Sequence, residues 1–198
     1  MRSNIIIFII EILSELIICD NSIIHEQLYK WNIIPLYKHV LLLIDNEFSN
    51  FGNEIKKETI MSLANIIMYI PNAAFDIAND NEMFTLIIKH FDSSEYALRK
   101  FTALFMMYLF DYVSLTVFNK VQLVLNTLIE HLILETSEGI LSALVCTVTS
   151  IINTAKRKLD GTGEGLTYIV DTLKTKDIYG ILSQKKIERQ EVIQHFQR

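Results

Sequence analysis

Apolar side chains return at intervals of three and four along nearly the whole chain, and that periodicity leaves room for little besides helix. Ile60, Leu63, Ile66, Ile67 and Ile70 form one stripe, preceded by Lys56, Lys57 and Glu58 and closed by Pro71, the pattern of an amphipathic helix over residues 54–70. Phe84, Ile87, Ile88 and Phe91 make a shorter stripe. Val121, Leu125, Leu128, Ile129 and Leu132 make another, and Ile140, Leu141, Leu144, Val145, Val148, Ile151 and Ile152 a longer one. No segment alternates with period two between turn residues, so strands are not expected. The sequence predicts an all-α fold.

The stripes also come in a repeating order, a medium helix followed by a longer one, with short polar breaks such as FDSSE and LETSEG between them. Medium-helix cores begin near Ile33, Phe84, Leu123 and Leu166, a period of roughly 40 to 50 residues, as in armadillo and HEAT arrays. A further short apolar piece precedes each medium helix, at Ile23–Trp31, Asn72–Ile77 and Ser114–Asn119. Three helices per unit, the first short, is the armadillo arrangement. The expectation is one armadillo domain over residues 1–198, a right-handed superhelical solenoid. It has a partial first repeat at 1–20 and repeats at about 22–70, 72–110, 114–155 and 165–197.

Composition excludes several alternatives. With 51% of its 198 residues hydrophobic, six Gly and two Pro, the chain is neither disordered nor a linker. A domain this long buries roughly 70% of its unfolded surface, enough for a core without disulfides. Cys19 and Cys146 form no CxxC and suit a reducing compartment. The net charge of -5 gives no general attraction to nucleic acid or anionic lipid. Phe101–Phe118 and Gly139–Ala155 approach spanning length, but Asp111 breaks the first and Ser, Thr and Asn side chains dilute the second; both read as buried helices. The apolar opening is interrupted by Glu11 and Glu15 and lacks a small-residue cleavage site, so it does not read as a signal peptide.

The stretch IKKETIMSLAN, Ile55 to Asn65, resembles the third-helix motif of importin-alpha: a basic pair, Glu, small residues, Trp, then Asn four positions later. Arg99 and Lys100 open the next third helix in the same way. Glu138 to Ile152, Gly165-Leu166 through Leu173, Asp177-Ile178-Tyr179 and Ile193 to Phe196 are similar to the family's last two units. The resemblance implies a concave groove of third helices that receives an extended basic peptide, with Asn side chains holding its backbone and Trp rings sandwiching its lysine stems. An amide is both donor and acceptor, so it holds a main-chain unit without reading sequence. A Trp face adds cation-π attraction of about 0.5 to 2 kcal/mol.

Carried onto this chain, the peptide-binding positions are Met61 and Asn65, Leu104 and Tyr108, and Cys146 and Ser150. Met61 stands where the family has Trp, and the one tryptophan, Trp31, lies on a short first helix. The resemblance further implies importin-beta-type or export-receptor partners, the latter at a surface around Asp177 and Tyr179, and residence in cytoplasm and nucleus. The expected function is an adaptor for nuclear import of proteins with basic localisation signals. The alternative is an armadillo scaffold subunit of a larger complex. Ile5–Ile18 reads as a third helix apolar all round, so further repeats or a partner would cover residues 4–18.

No enzyme chemistry is expected. His25, His39, His90, His131 and His195 fall on different helices without metal-ligand spacing, and neither Cys is paired with a His. Gly161–Gly165 lacks the strand and Lys of a phosphate loop and reads as a joint into the last repeat. No cofactor or metal is expected.

Overall fold

The computed structural model of the chain describes residues 2–45, 50–112, 118–158 and 164–184. Among these residues there are helices and turns and no strand. In chain order the helices are α1 (Arg2–Ile18), α2 (Ser22–Lys30), α3 (Ile33–Leu43), α4 (Asn50–Tyr69), α5 (Asn72–Asn79), α6 (Asn81–Ile88), α7 (Tyr96–Tyr112), α8 (Phe118–Leu134), α9 (Glu138–Lys158), α10 (Glu164–Thr175) and α11 (Ile178–Gln184). A 3-10 turn at Lys89–Asp92 continues α6.

The breaks have local causes. Asn21 caps α2, its side-chain oxygen accepting from the amides of Ile23 and Ile24 at 3.0 and 3.3 Å. Asn32, at φ 57°, makes the left-handed corner into α3 that an Asn side chain tolerates. Pro71, which cannot continue a helix, follows α4. Asp80 both ends α5 and caps α6, accepting from the Met83 amide at 3.0 Å.

The long helices α1, α4, α7 and α9 lie side by side as one layer, each packed on the next. The other helices, shorter except for α8, cover one side of it: α3 and α5 meet α4, α5 meets α7, and α8 and α10 meet α9. Between the layers lie Ile60, Leu63, Ile66 and Ile67 of α4, Phe105 and Met106 of α7, and Leu144, Val145, Val148 and Ile151 of α9, all buried. Each such side chain contributes about 1.5 to 3 kcal/mol on burial, and these are the stripes visible in the sequence.

Polar contacts fix the register between units. Thr147 of α9 donates to the Ala103 carbonyl of α7 at 2.7 Å, and Thr154 donates to that of Phe110 at 2.5 Å. Across the shorter helices Lys38 pairs with Asp80 at 2.8 Å and with Glu82 at 2.8 Å, and the Tyr29 hydroxyl donates to Asp76 at 2.6 Å. Arg99 ties α7 to the α8–α9 turn, donating to Glu135 at 2.9 Å and to the carbonyls of Ser93 and Ser94 at 2.8 and 3.0 Å.

This is an armadillo-type solenoid, with α2–α3–α4 and α5–α6–α7 as complete three-helix units. Two boundaries depart from the sequence reading. Helix α4 starts at Asn50, before the expected start at residue 54, because Phe51 packs on the core one turn before buried Ile55. In the next unit residues 118 and 119 belong to α8, which at 17 residues matches α7 in length. The rest of the short helix expected at Ser114–Asn119, residues 159–163 of the glycine-rich joint, and the Ile193–Phe196 stretch lie outside the described residues. The Glu138–Lys156 part of α9 is long and apolar enough to cross a membrane; 61% of it is buried in the solenoid.

Candidate functional site

One face of each long helix is turned away from the shorter helices, and its side chains are half-buried or exposed. On α4 this strip carries Glu54, Lys57, Glu58, Met61, Asn65 and Met68. On α7 it carries Lys100, Phe101, Leu104, Met107, Tyr108 and Asp111, and on α9 Ser142, Cys146, Thr149, Asn153 and Lys156. Helical spacing of three and four aligns each set along its helix. The packing of α4 on α7 and of α7 on α9 then sets the three strips next to one another as a single surface.

Five of the six peptide-binding positions expected from the sequence lie on this surface: Met61, Asn65, Leu104, Tyr108 and Cys146. Leu104 and Tyr108 also lean on the core beneath them. Ser150 does not present itself in the same way; it is 8% exposed, turned into the packing of α9. Asn153, which the sequence reading passed over, is the half-exposed amide on that helix. The bond from Thr154 to the Phe110 carbonyl pins one side of α9 against α7 and leaves its predecessor facing out, a contact that no local sequence signal announces. The Asn65 and Asn153 amides make no hydrogen bond among the described residues, so both retain free donors and acceptors.

The basic residues of the expected third-helix motif are engaged within the protein. Lys56 is 4% exposed and donates to the Asp45 carbonyl at 3.4 Å. Lys57 is held by Glu54 and, at 3.2 Å, by Glu58, and the Glu54 hydrogen bond raises its pKa. Arg99 is the clamp to Glu135. Burial works to raise the Glu135 pKa, but the Ser137 amide and the Arg99 guanidinium outweigh it and hold the carboxyl below its ordinary value. These are structural uses of charge.

The clefts lie at the edges of the array. One of about 530 Å³, lined by Asp45, Lys56, Lys89, His90, Asp92 and Ser93, opens beside the start of α7. Another of about 300 Å³ is lined by Glu54, Lys57 and Glu95, and a third of about 400 Å³ between α8 and α10 by Asn126, Tyr168 and Asp171. Among the described residues no three His, Cys, Asp or Glu side chains are grouped to hold a metal ion.

At the carboxy-terminal end Asp177 has a structural role. At φ 47° it turns the chain between α10 and α11 and caps α11, accepting from the Gly180 amide at 3.1 Å. Tyr179 beside it is 47% exposed. Trp31 is 72% exposed at the end of α2, away from the strip on the long helices.

No family model and no curated protein matches the chain. Among solved structures it is similar to a designed armadillo repeat protein, YIII(Dq.V1)4CPAF, in complex with the peptide (KR)4. The TM-score is 0.55 over 95% of this chain and 88% of the other, at 14% sequence identity. That likeness extends to the armadillo fold and stops short of the importin-alpha family. In this chain the layer of long helices carries the Asn65 and Asn153 amides beside Met, Leu and Tyr side chains.

Proposed function

We propose that the chain is an adaptor that holds an extended segment of another protein along the third-helix layer. The observation that carries this reading is the surface itself: Asn65 on α4 and Asn153 on α9 present unengaged amides on either side of the Leu104, Met107 and Tyr108 rib of α7. An extended chain has main-chain donors and acceptors in need of partners, and amides spaced across a helical stack supply them. The similarity to an armadillo protein that binds a peptide supports the same reading. Selection of random dodecapeptides displayed on phage against the immobilised chain is the test. Enriched peptides should lose binding to the Asn65→Ala, Tyr108→Ala double variant. A selection that enriches nothing, or peptides indifferent to that variant, would sink the proposal.

The importin-alpha version adds lysine-rich cargo, an importin-beta-type or export receptor near Asp177 and Tyr179, and passage between cytoplasm and nucleus. The Ile55–Asn65 motif supports it. Its own test is saturable, salt-sensitive binding of a bipartite lysine-rich peptide.

A permanent scaffold role is the second reading, favoured by α1. There Ile5, Phe8, Ile9, Ile12 and Leu16 form a ridge of side chains between 36 and 62% exposed, on the side opposite the buried Ile10 and Ile17. A contiguous apolar ridge of this kind is the mark of an interface. Phe8→Ser should then raise solubility without lowering the melting temperature; a loss of stability would show the ridge to be internal packing.

A further inference from the structure

Resting on the reading of the third-helix layer as a segment-binding face, we propose that the segment it takes bears uncharged apolar and aromatic side chains, not the lysines and arginines of a basic signal. Two independent features argue for this chemistry. The first is the wall. The central rib is Leu104, Met107 and Tyr108, bordered by Met61 and Met68 of α4, and Met68 is 39% exposed. Thioether side chains adapt to varied apolar shapes and make favourable contacts with rings, so such a wall accepts Leu, Phe or Tyr without demanding one of them. Laying an ammonium on the same wall would strip its hydration with little beyond the Tyr108 ring in return.

The second feature is charge. Among the described residues of the strip, Glu54 and Glu58 are already engaged by Lys57. Asp111 is the carboxylate left over, and Lys100 and Lys156 offset it. On this strip the three carboxylates of Glu54, Glu58 and Asp111 are balanced by the three ammonium groups of Lys57, Lys100 and Lys156, so a cationic segment gains no net charge attraction there, and Met61 stands where a lysine-clamping Trp would be. Asn65 and Asn153, by contrast, serve the backbone of any extended segment whatever its side chains.

The experiment is fluorescence anisotropy on the full chain with two labelled peptides of equal length. One is a neutral peptide alternating Leu, Phe and Tyr with Ser and Gln, and the other is (KR)4; both are titrated at low and near-physiological salt. The neutral peptide should saturate with an affinity that changes less than about twofold with salt. It should bind about tenfold more weakly to Met107→Glu, with Met107→Leu retaining affinity and circular dichroism reporting the folding of both variants. Saturation by (KR)4 with steep salt dependence and none by the neutral peptide would overturn the inference and leave the adaptor reading standing. Binding of the neutral peptide unchanged by Met107→Glu would overturn it as well. Failure of both peptides overturns it too, and the adaptor reading then falls or survives by the peptide selection above.

Discussion

His90 is buried on the 3-10 turn after α6, facing Lys56 and Lys89, with Asp45 and Asp92 lining the same cleft. Burial, reinforced by the two ammonium groups, pushes its pKa down to about 4. In the unfolded chain the ring takes its proton near 6.5, while in the folded chain it resists until about 4. Between those values acid protonates only the unfolded state, so stability should fall as pH drops from about 6.5 to 4, by up to about 3 kcal/mol. Urea unfolding of the parent and of His90→Phe across that range checks it: the variant should lack this part of the slope. Tyr37 gives a second prediction. Its hydroxyl is buried without a hydrogen bond of good geometry, beside the Ser14 and Ser62 hydroxyls, which bond to each other; burial pushes its pKa up to about 12 and the two serine hydroxyls pull against that rise. Removing an unsatisfied buried hydroxyl relieves a desolvation cost, so Tyr37→Phe should be neutral or stabilising by about 1 kcal/mol in thermal unfolding. A destabilised variant would mean that the hydroxyl has a partner.

Asp80 joins three helices, ending α5, capping α6 and pairing with Lys38 of α3. Its burial works against ionisation, but Lys38 and the Met83 amide prevail and hold the carboxyl below its ordinary range. Asp80→Ala should cost about 1 to 2 kcal/mol, through the lost cap above all, and that loss should shrink as pH falls through the carboxylate range. Chemical denaturation at neutral and acid pH measures both. The helices themselves were readable from the sequence because stripes such as Ile60 through Ile70 state their period directly. The armadillo order was readable from the spacing of Ile33, Phe84, Leu123 and Leu166. Starts were harder: the polar residues around Phe51 look like a loop until the ring is seen on the core, and the residues at 118 and 119 read as the end of a separate short helix. On the site, Met61, Asn65, Leu104 and Tyr108 came from the importin-alpha resemblance, and their spacing of four along α4 and α7 puts them on the outward strip. Ser150 was placed on the open surface because its helix was aligned by motif. The actual rotation of α9 is set by Thr147 and Thr154 bonding to a neighbouring helix, a long-range contact that local periodicity does not encode.

A stack in which each unit touches mainly its neighbours has stability distributed from the middle outward. Helices α4 and α7, each flanked on both sides by another long helix, should show the slowest amide exchange, and α1, α10 and α11 the fastest, in native-state hydrogen exchange read by mass spectrometry. Uniform protection would mean that the array opens as one unit. The two threonine hydroxyls of α9 carry the last consequence. Thr147 and Thr154 lie about two turns apart and reach into the backbone of α7 at both places, like a pair of dowels through adjoining planks. One dowel would let the planks swivel. Two resist both swivelling and sliding, so the backbones that carry Tyr108 and Asn153 are held in one register. Under the adaptor proposal, a segment laid across them would be measured against that fixed spacing of helices.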